Sequence, residues 1–385
     1  MKLMRNGTPC RMALSVALGT MLLQAVPLAD AYPPPLPPPS RWIQLPNQQF
    51  EVDGLPWYKQ NDSQFIRLPI SRKDTYPKAV WRLAQDSTGG RIRFRTDSSA
   101  LAIRLEYPGP PGMPNMQAFG QSGVSLYIGD QYWATAIADK TAKPGKIFQY
   151  VYFNFGNAPR KERDITLYLP LYLGVKVIAI GVDPAAVIKP PLPFALPRPV
   201  VFYGTSITQG CCVSHPGMSY DALMARRLNL DYVNLGFSGA GNYEPALAHA
   251  VADIDASVYV LDGSNIGSAE ALRKVLAPFI KVIREKHPDT PILVSSPLYA
   301  SWDLMWETHK VSDESRRVLM RKVVSDLISQ GDRNLQLVEG TDLLGPMQGD
   351  GLTDGGHLND LGTTWVADGY TRRIAAVLGI KPGAK

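Results

Sequence analysis

Ser206 stands in Gly204-Thr205-Ser206-Ile207-Thr208-Gln209-Gly210, a turn of small and polar residues directly behind the apolar run Val200-Val201-Phe202-Tyr203. A serine hydroxyl is a weak nucleophile until a neighbouring base takes its proton. Taken alone, a serine in such a turn could equally cap a helix. Five histidines can be weighed as the base. His249 falls within a helical stretch, and His287 precedes Pro288 at a helix end. His309 lies in a polar stretch before a helix, and His215 in the loop after the serine turn. His357 differs from them: it follows a carboxylate by three residues, in the glycine-rich turn Asp354-Gly355-Gly356-His357. That spacing lets Asp354 accept from the imidazole Nδ1–H and fix the tautomer while Nε2 faces the serine. Asp350 and Asp360 are rivals for the same orienting role. The chemistry this set could perform is acyl transfer through a serine ester.

Other chemistries find less support. After Cys10, the cysteines are the neighbours Cys211 and Cys212. Adjacent cysteines reach disulfide geometry only with strain, so they are expected to stay unpaired and a disulfide framework is excluded. They could supply a thiol nucleophile, but small residues packing behind the serine turn is the favoured reading. Cys-x-x-Cys and Cys/His zinc spacings are absent. The formal charge is +6 without a Lys/Arg run, which gives no footprint for nucleic acid.

The elements that must position these residues follow from the pattern around them. From Val200 onward, short apolar strands alternate with helices. Strands are expected at Val200–Tyr203, Tyr232–Leu235, Val258–Leu261, Ile292–Val294 and Leu335–Val338. Helices are expected at Tyr220–Leu228, Pro245–Ile254, Ala269–Lys286, Asp313–Ser329 and Leu361–Leu378. This alternation makes a parallel sheet covered on both faces, where sites gather beyond the carboxyl ends of the strands.

Residues 41–188 follow a different grammar and read as an all-β sandwich. Arg91-Ile92-Arg93-Phe94-Arg95 and Leu101 to Tyr107 alternate with period two. Gly123 to Ile128 and Tyr132 to Ala134 flank Gly129-Asp130-Gln131 as a hairpin, and Ile165 to Val182 holds two strands broken near Gly174. The proline cluster at 189–199 reads as a linker to a domain at 200–381. Lys2, Arg5 and Arg11, the apolar Met12–Leu28 and Ala29-Asp30-Ala31 read as a cleavable export signal over residues 1–31. Residues 32–40 read as a polyproline tether.

Four segments past strand ends now stand out: Gly204–Gly210, Gly236-Phe237-Ser238-Gly239, Asp262-Gly263-Ser264-Asn265 and Asp354–His357. In order and position they resemble the four blocks of SGNH (GDSL-like) serine hydrolases, over residues 200–380. The wording is similar to a bacterial subgroup that carries an N-terminal β-domain with a Gly-x-Asp-Leu-Tyr motif. Here that motif is Gly123-Val124-Ser125-Leu126-Tyr127, with serine in place of aspartate. Tyr168-Leu169-Pro170-Leu171-Tyr172 resembles a second stretch of that domain. The third block departs too, since Ile266 follows Asn265 where relatives carry an acid.

The resemblance implies a flavodoxin-like three-layer α/β/α domain behind a jelly-roll-like sandwich. It implies Ser206 as nucleophile, His357 as base, and Asp354 as its partner. It also implies an oxyanion hole made of the Ser206 and Gly239 backbone N–H groups and the Asn265 side-chain amide. No metal or cofactor is implied. The expected activity is that of an exported, periplasmic or extracellular serine esterase, acting on O-acetyl groups of a carbohydrate. O-acetyl transfer to a glycan and non-catalytic glycan binding remain alternatives. The expected partner is an acylated small molecule or glycan, with no stable membrane insertion after cleavage. The resemblance is silent on oligomeric state.

Overall fold

The computed structural model describes residues 36–381. The export signal read at 1–31 and the first prolines of the tether lie outside the described residues. Ten strands occupy residues 41–189. They are β1 (Arg41–Gln44), β2 (Glu51–Asp53), β3 (Arg91–Thr96), β4 (Ala100–Glu106) and β5 (Val124–Ile128), then β6 (Gln131–Ala136), β7 (Ile147–Asn154), β8 (Arg163–Tyr168), β9 (Lys176–Val182) and β10 (Ile188–Lys189). They form two antiparallel sheets, one ordered β1-β9-β4-β7 and the other β10-β3-β8-β5-β6 with β2 also on β3. Inward positions of both sheets, among them Ile92, Phe94, Ile103, Leu126, Leu167 and Ile180, close one apolar core, as alternation in a sandwich requires.

Two helices interrupt what the sequence presents as an all-β region: α1 (Lys78–Ala84) and α2 (Ala118–Ser122). The reason for α1 lies elsewhere in the chain. Trp57, Leu68, Tyr76, Val80 and Leu83 are buried together with Val201, Leu235 and Tyr259, so this stretch packs on the parallel sheet and not in the sandwich.

That sheet contains β11 (Val200–Gly204), β12 (Tyr232–Gly236), β13 (Val258–Asp262), β14 (Ile292–Ser295) and β15 (Leu335–Val338). All pairs are parallel and the order is β12-β11-β13-β14-β15. The helices are α3 (Ser206–Gln209), α4 (Tyr220–Leu228), α5 (Pro245–Ala252), α6 (Ala269–Lys286), α7 (Trp302–Met305), α8 (Glu307–Ser329) and α9 (Asp360–Leu378). One face of the sheet buries Leu247, Leu276, Phe279 and Met320. The other buries Met224, Leu228, Val366 and Ile374. The architecture is therefore the mixed α/β arrangement expected, a parallel sheet behind antiparallel ones. The chain reverses direction across the sheet at β11, which opens a crevice at its carboxyl end.

The polar positions of β3 carry a second departure. Alternation places Arg91 and Arg93 opposite the sandwich core, yet both are buried. Arg91 pairs with Asp231 and lies over the Tyr232 ring at 4.0 Å, while Arg93 lies over Phe194 at 3.9 Å. The outer face of this sheet is thus an internal contact, in which buried guanidinium groups are matched by a carboxylate and π-faces.

Candidate active site

The serine turn is set by close backbone packing. A Cβ on Gly236, at the end of β12, would stand 2.3 Å from the Gln209 backbone nitrogen, so only glycine lets α3 approach β12. Gly210 ends α3 with φ +91°, a left-handed conformation that favours glycine. Ser206 opens α3 and is 5% exposed.

His357 reaches it from the far end of the domain. Thr353 N–H donates to the His357 carbonyl at 2.8 Å, and Leu352 bridges Leu358, which closes the turn between them. The Ser206 Oγ lies 2.9 Å from His357 Nε2. On the other side of the ring, Nδ1 stands 2.9 Å from Asp354 Oδ2 and 3.1 Å from Oδ1. Asp354 Oδ1 also accepts from the backbone N–H of Gly356 and His357 at 3.1 and 2.9 Å. Burial works against this carboxylate, but hydrogen bonds from Asn115 and His357 outweigh it and hold its pKa below the ordinary value. Of the rivals, the Asp360 carboxylate accepts from Ser214 N–H at 2.8 Å, and His357 Nδ1 meets Asp354 and neither of them.

Gly239 and Asn265 lie on the loops after β12 and β13. Gly239 is exposed, has φ +67°, and a Cβ there would meet nothing within 4 Å. Its glycine is required by backbone conformation, not by crowding. Asn265 also sits at positive φ, +54°, and among the described residues its amide has no hydrogen-bond partner. Side chains from the serine turn tie both loops down. Thr205 Oγ1 donates to the Ser264 carbonyl at 2.7 Å, and Gln209 Oε1 accepts from Ser238 N–H at 2.9 Å. Asn242 Oδ1 joins the two loops by accepting from Gly267 N–H at 3.0 Å. The segments that carry the five residues singled out from sequence, α3 and three loops, are thus hydrogen-bonded to one another.

Sequence reasoning missed the groups that reach the site from residues 41–188. Asn115 Nδ2 donates to Asp354 Oδ2 at 2.9 Å. Tyr172 Oη donates to the Ser206 carbonyl at 3.1 Å. Asp86 Oδ2 accepts from Gln209 Nε2 at 3.0 Å. Burial raises the Asp86 pKa to about 6 although the Arg67 guanidinium opposes it. Arg67 is itself fully enclosed, donates to the Gly236 carbonyl and lies 4.6 Å over the Phe237 ring. Local spacing carries no signal for these partners, because each is remote in sequence from what it touches. Trp302, an aromatic residue that the sequence offers for lining the pocket, meets the histidine turn. Its Nε1–H donates to the Asp354 carbonyl at 2.8 Å, and its ring meets His357 edge-on with centroids 6.0 Å apart. A Cβ on Gly355 or Gly356 would collide with that ring, which accounts for the two glycines before His357.

The cysteines require a correction. A disulfide joins Cys211 to Cys212, whose Cα atoms stand 3.3 Å apart across a cis peptide bond. It ties no distant segments, and both residues pack with Met116, Leu171 and Val213 behind the serine turn. Two groups of potential metal ligands occur among the described residues. One is Cys211, Cys212 and His357, but disulfide sulfurs are not thiolates. The other is Asp303, His309 and Asp313, in which Asp313 is paired with Arg316. Of the remaining histidines, His215 bonds Tyr127 and Ser214, and His287 bonds the Ala252 carbonyl.

Comparison with known proteins bears on the fold and the family. A protein from Bacteroides ovatus ATCC 8483, described as a GDSL-like lipase, is 29% identical with TM-score 0.79, over 89% of this chain and 100% of that one. A salicylyl-acyltransferase from a tetracycline biosynthetic pathway superposes with TM-score 0.74 at 24% identity, over 89% and 98%. A family two carbohydrate esterase from Clostridium thermocellum shares the fold at 16% identity and TM-score 0.57, over 76% and 93%. No curated protein matches the chain. Residues 40–188 match the N-terminus of SGNH-hydrolase-type esterases, named for its Gly-x-Asp-Leu-Tyr motif, and residues 197–375 match the GDSL-like lipase/acylhydrolase family. With these two stretches spanning most of its length, the chain belongs to the GDSL-like lipase/acylhydrolase family, as an SGNH-type esterase that carries the family's N-terminal β-domain.

Proposed function

We propose that the protein is an exported serine esterase that removes O-acetyl groups from a carbohydrate through an acyl-enzyme. The observation that carries the chemistry is the chain of contacts Ser206 Oγ, His357 Nε2, His357 Nδ1, Asp354, each link 2.9 Å long. In the proposed reaction Ser206 attacks the ester carbonyl while His357 takes its proton. The oxyanion is met by the N–H groups of Ser206 and Gly239 and by the Asn265 amide. His357 then protonates the leaving alcohol. Water, activated by the same histidine, releases the acid. No step calls for a metal or cofactor.

The glycan substrate rests on fold likeness to carbohydrate esterases and on the signal-like leader at residues 1–31, which is proposed to be removed. Among the described residues no helix is long and apolar enough to cross a membrane. The second reading, acyl transfer to an alcohol other than water, is favoured by the likeness to an acyltransferase along nearly the whole chain. The test is hydrolysis of p-nitrophenyl acetate, longer p-nitrophenyl esters and an acetylated xylo-oligosaccharide, wild type beside Ser206→Ala. Acetate release that vanishes in the variant is expected, with preference for the acetyl ester. Equal activity in the variant would overturn the serine mechanism. Acetyl appearing on an added sugar in place of free acetate would select the transferase.

A further inference from the structure

We infer that Asn115, on a loop of the β-domain, is a positioning residue for the acid of the site, so that the working centre is completed by both halves of the chain. The inference rests on the serine-esterase reading of Ser206, His357 and Asp354. Asp354 Oδ2 accepts from His357 Nδ1 and from Asn115 Nδ2, both at 2.9 Å, while Oδ1 takes the two backbone N–H groups of its own turn. The carboxylate therefore has one partner from outside its own turn among the described residues, and that partner comes from the other domain. An amide donor suits the place. It steadies the ionised carboxylate, adds no charge that would compete for the imidazole proton, and cannot itself take that proton.

The loop that carries Asn115 is anchored on both sides. Gln121 is buried, and its Oε1 accepts from Gly112 and Met113 N–H at 2.8 and 2.9 Å. Its Nε2 donates to the carbonyls of Met113 and Met116. Met116, next to Asn115, is buried with Leu171 and the Cys211–Cys212 disulfide. Asn115 Nδ2 stands 3.9 Å from Cys211 Sγ. A flexible surface loop would not deliver one amide to one carboxylate oxygen, whereas a loop clasped by Gln121 and seated by Met116 does. The hydroxyl of Tyr172, from the same half of the chain, meets the Ser206 carbonyl, so the β-domain contacts the site at the nucleophile as well as at the acid.

The full-length chain tests this with Asn115→Ala and Asn115→Asp, read by pH profiles on p-nitrophenyl acetate beside wild type and Ser206→Ala. Asn115→Ala is expected to lower kcat about tenfold, the worth of one hydrogen bond to a charged group, with KM unchanged. Asn115→Asp sets a second carboxylate beside Asp354, and like charges resist joint ionisation. It is expected to move the acidic limb of kcat/KM to higher pH, which a packing role would not do. Asn115→Ala with wild-type kcat, or a raised KM at unchanged kcat, overturns the inference while activity lost in Ser206→Ala leaves the esterase reading standing. If the wild type cleaves no ester, the reading itself fails. The low-field proton resonance of His357 Nδ1–H then decides separately: displacement in Asn115→Ala supports the contact, and an unmoved resonance overturns it.

Discussion

At the scale of single residues, the site separates groups that do chemistry from groups that hold others in place, and the two should respond differently to substitution. Asn265 offers an amide that no described residue uses. Asn265→Ala should therefore slow kcat about 100-fold or more and leave the urea midpoint where it was, because no buried partner is orphaned. A fall in both together would show that the amide is structural. Ser206→Ala should remove at least about 10³-fold of the rate. The proposed nucleophile, base and acid were visible in the sequence because their signals are local. A serine follows an apolar strand, and a histidine trails a carboxylate by three residues in a glycine turn. Asn115 was not, nor were the contacts that Tyr172 and Gln209 make, since nothing near position 115 announces a partner at 354. The disulfide between Cys211 and Cys212 runs against the expectation that neighbouring cysteines stay unpaired.

At the scale of elements, the serine turn depends on how closely β12 and α3 can approach. Gly236→Ala would drive a methyl group against the Gln209 backbone. It is expected to lower stability by roughly 2 kcal/mol or more, seen as a lower thermal midpoint along with lost activity. Gly239→Ala has open space and carries only the left-handed backbone cost, about 1 kcal/mol. Equal loss of stability in the two variants would refute this division. Helices α4 and α6 were legible to their end residues, because an amphipathic stripe and capping residues mark them. α8 was not: it starts at Glu307, six residues before the expected Asp313, because its first turns are exposed and carry little apolar pattern. α1 was overlooked because the surface that buries Val80 and Leu83 belongs to a sheet made much later in the chain.

At the scale of the whole molecule, the halves meet through buried polar groups whose charge state matters. His215 sits between Ser214 and Tyr127, with the Tyr132 ring 4.2 Å away, centroid to centroid. Burial lowers its pKa to about 4 despite Asp360, and Arg226 pushes the same way as burial. In the unfolded chain the imidazole takes a proton near pH 6.5. Below that pH the unfolded state binds the proton that the folded state refuses, so stability falls as pH drops from about 6.5 to about 4. Between pH 7 and pH 5 the loss from this one group should be about 2 kcal/mol. Urea midpoints at the two pH values should differ less in His215→Gln than in wild type. An identical pH dependence in both proteins would remove His215 from the account. The fold class was legible because alternating strands and helices follow a run of short strands. The seam between the halves was not, since Arg91 and Arg93 read as solvent-facing until Asp231, Tyr232 and Phe194 are placed against them.

The burial of Trp57, Tyr76, Val80 and Leu83 against the parallel sheet also bears on how the chain acquires its structure. Synthesis runs from the amino end, and these side chains emerge long before β11 to β15 exist to receive them. The early half of the polypeptide thus waits with an apolar surface uncovered, and its last contacts form only when the late strands have paired. Such long-range closure is slow, and it exposes the waiting surface to aggregation. Refolding from denaturant should accordingly be harder at high protein concentration, and more so for a fragment ending before β11 than for the entire chain.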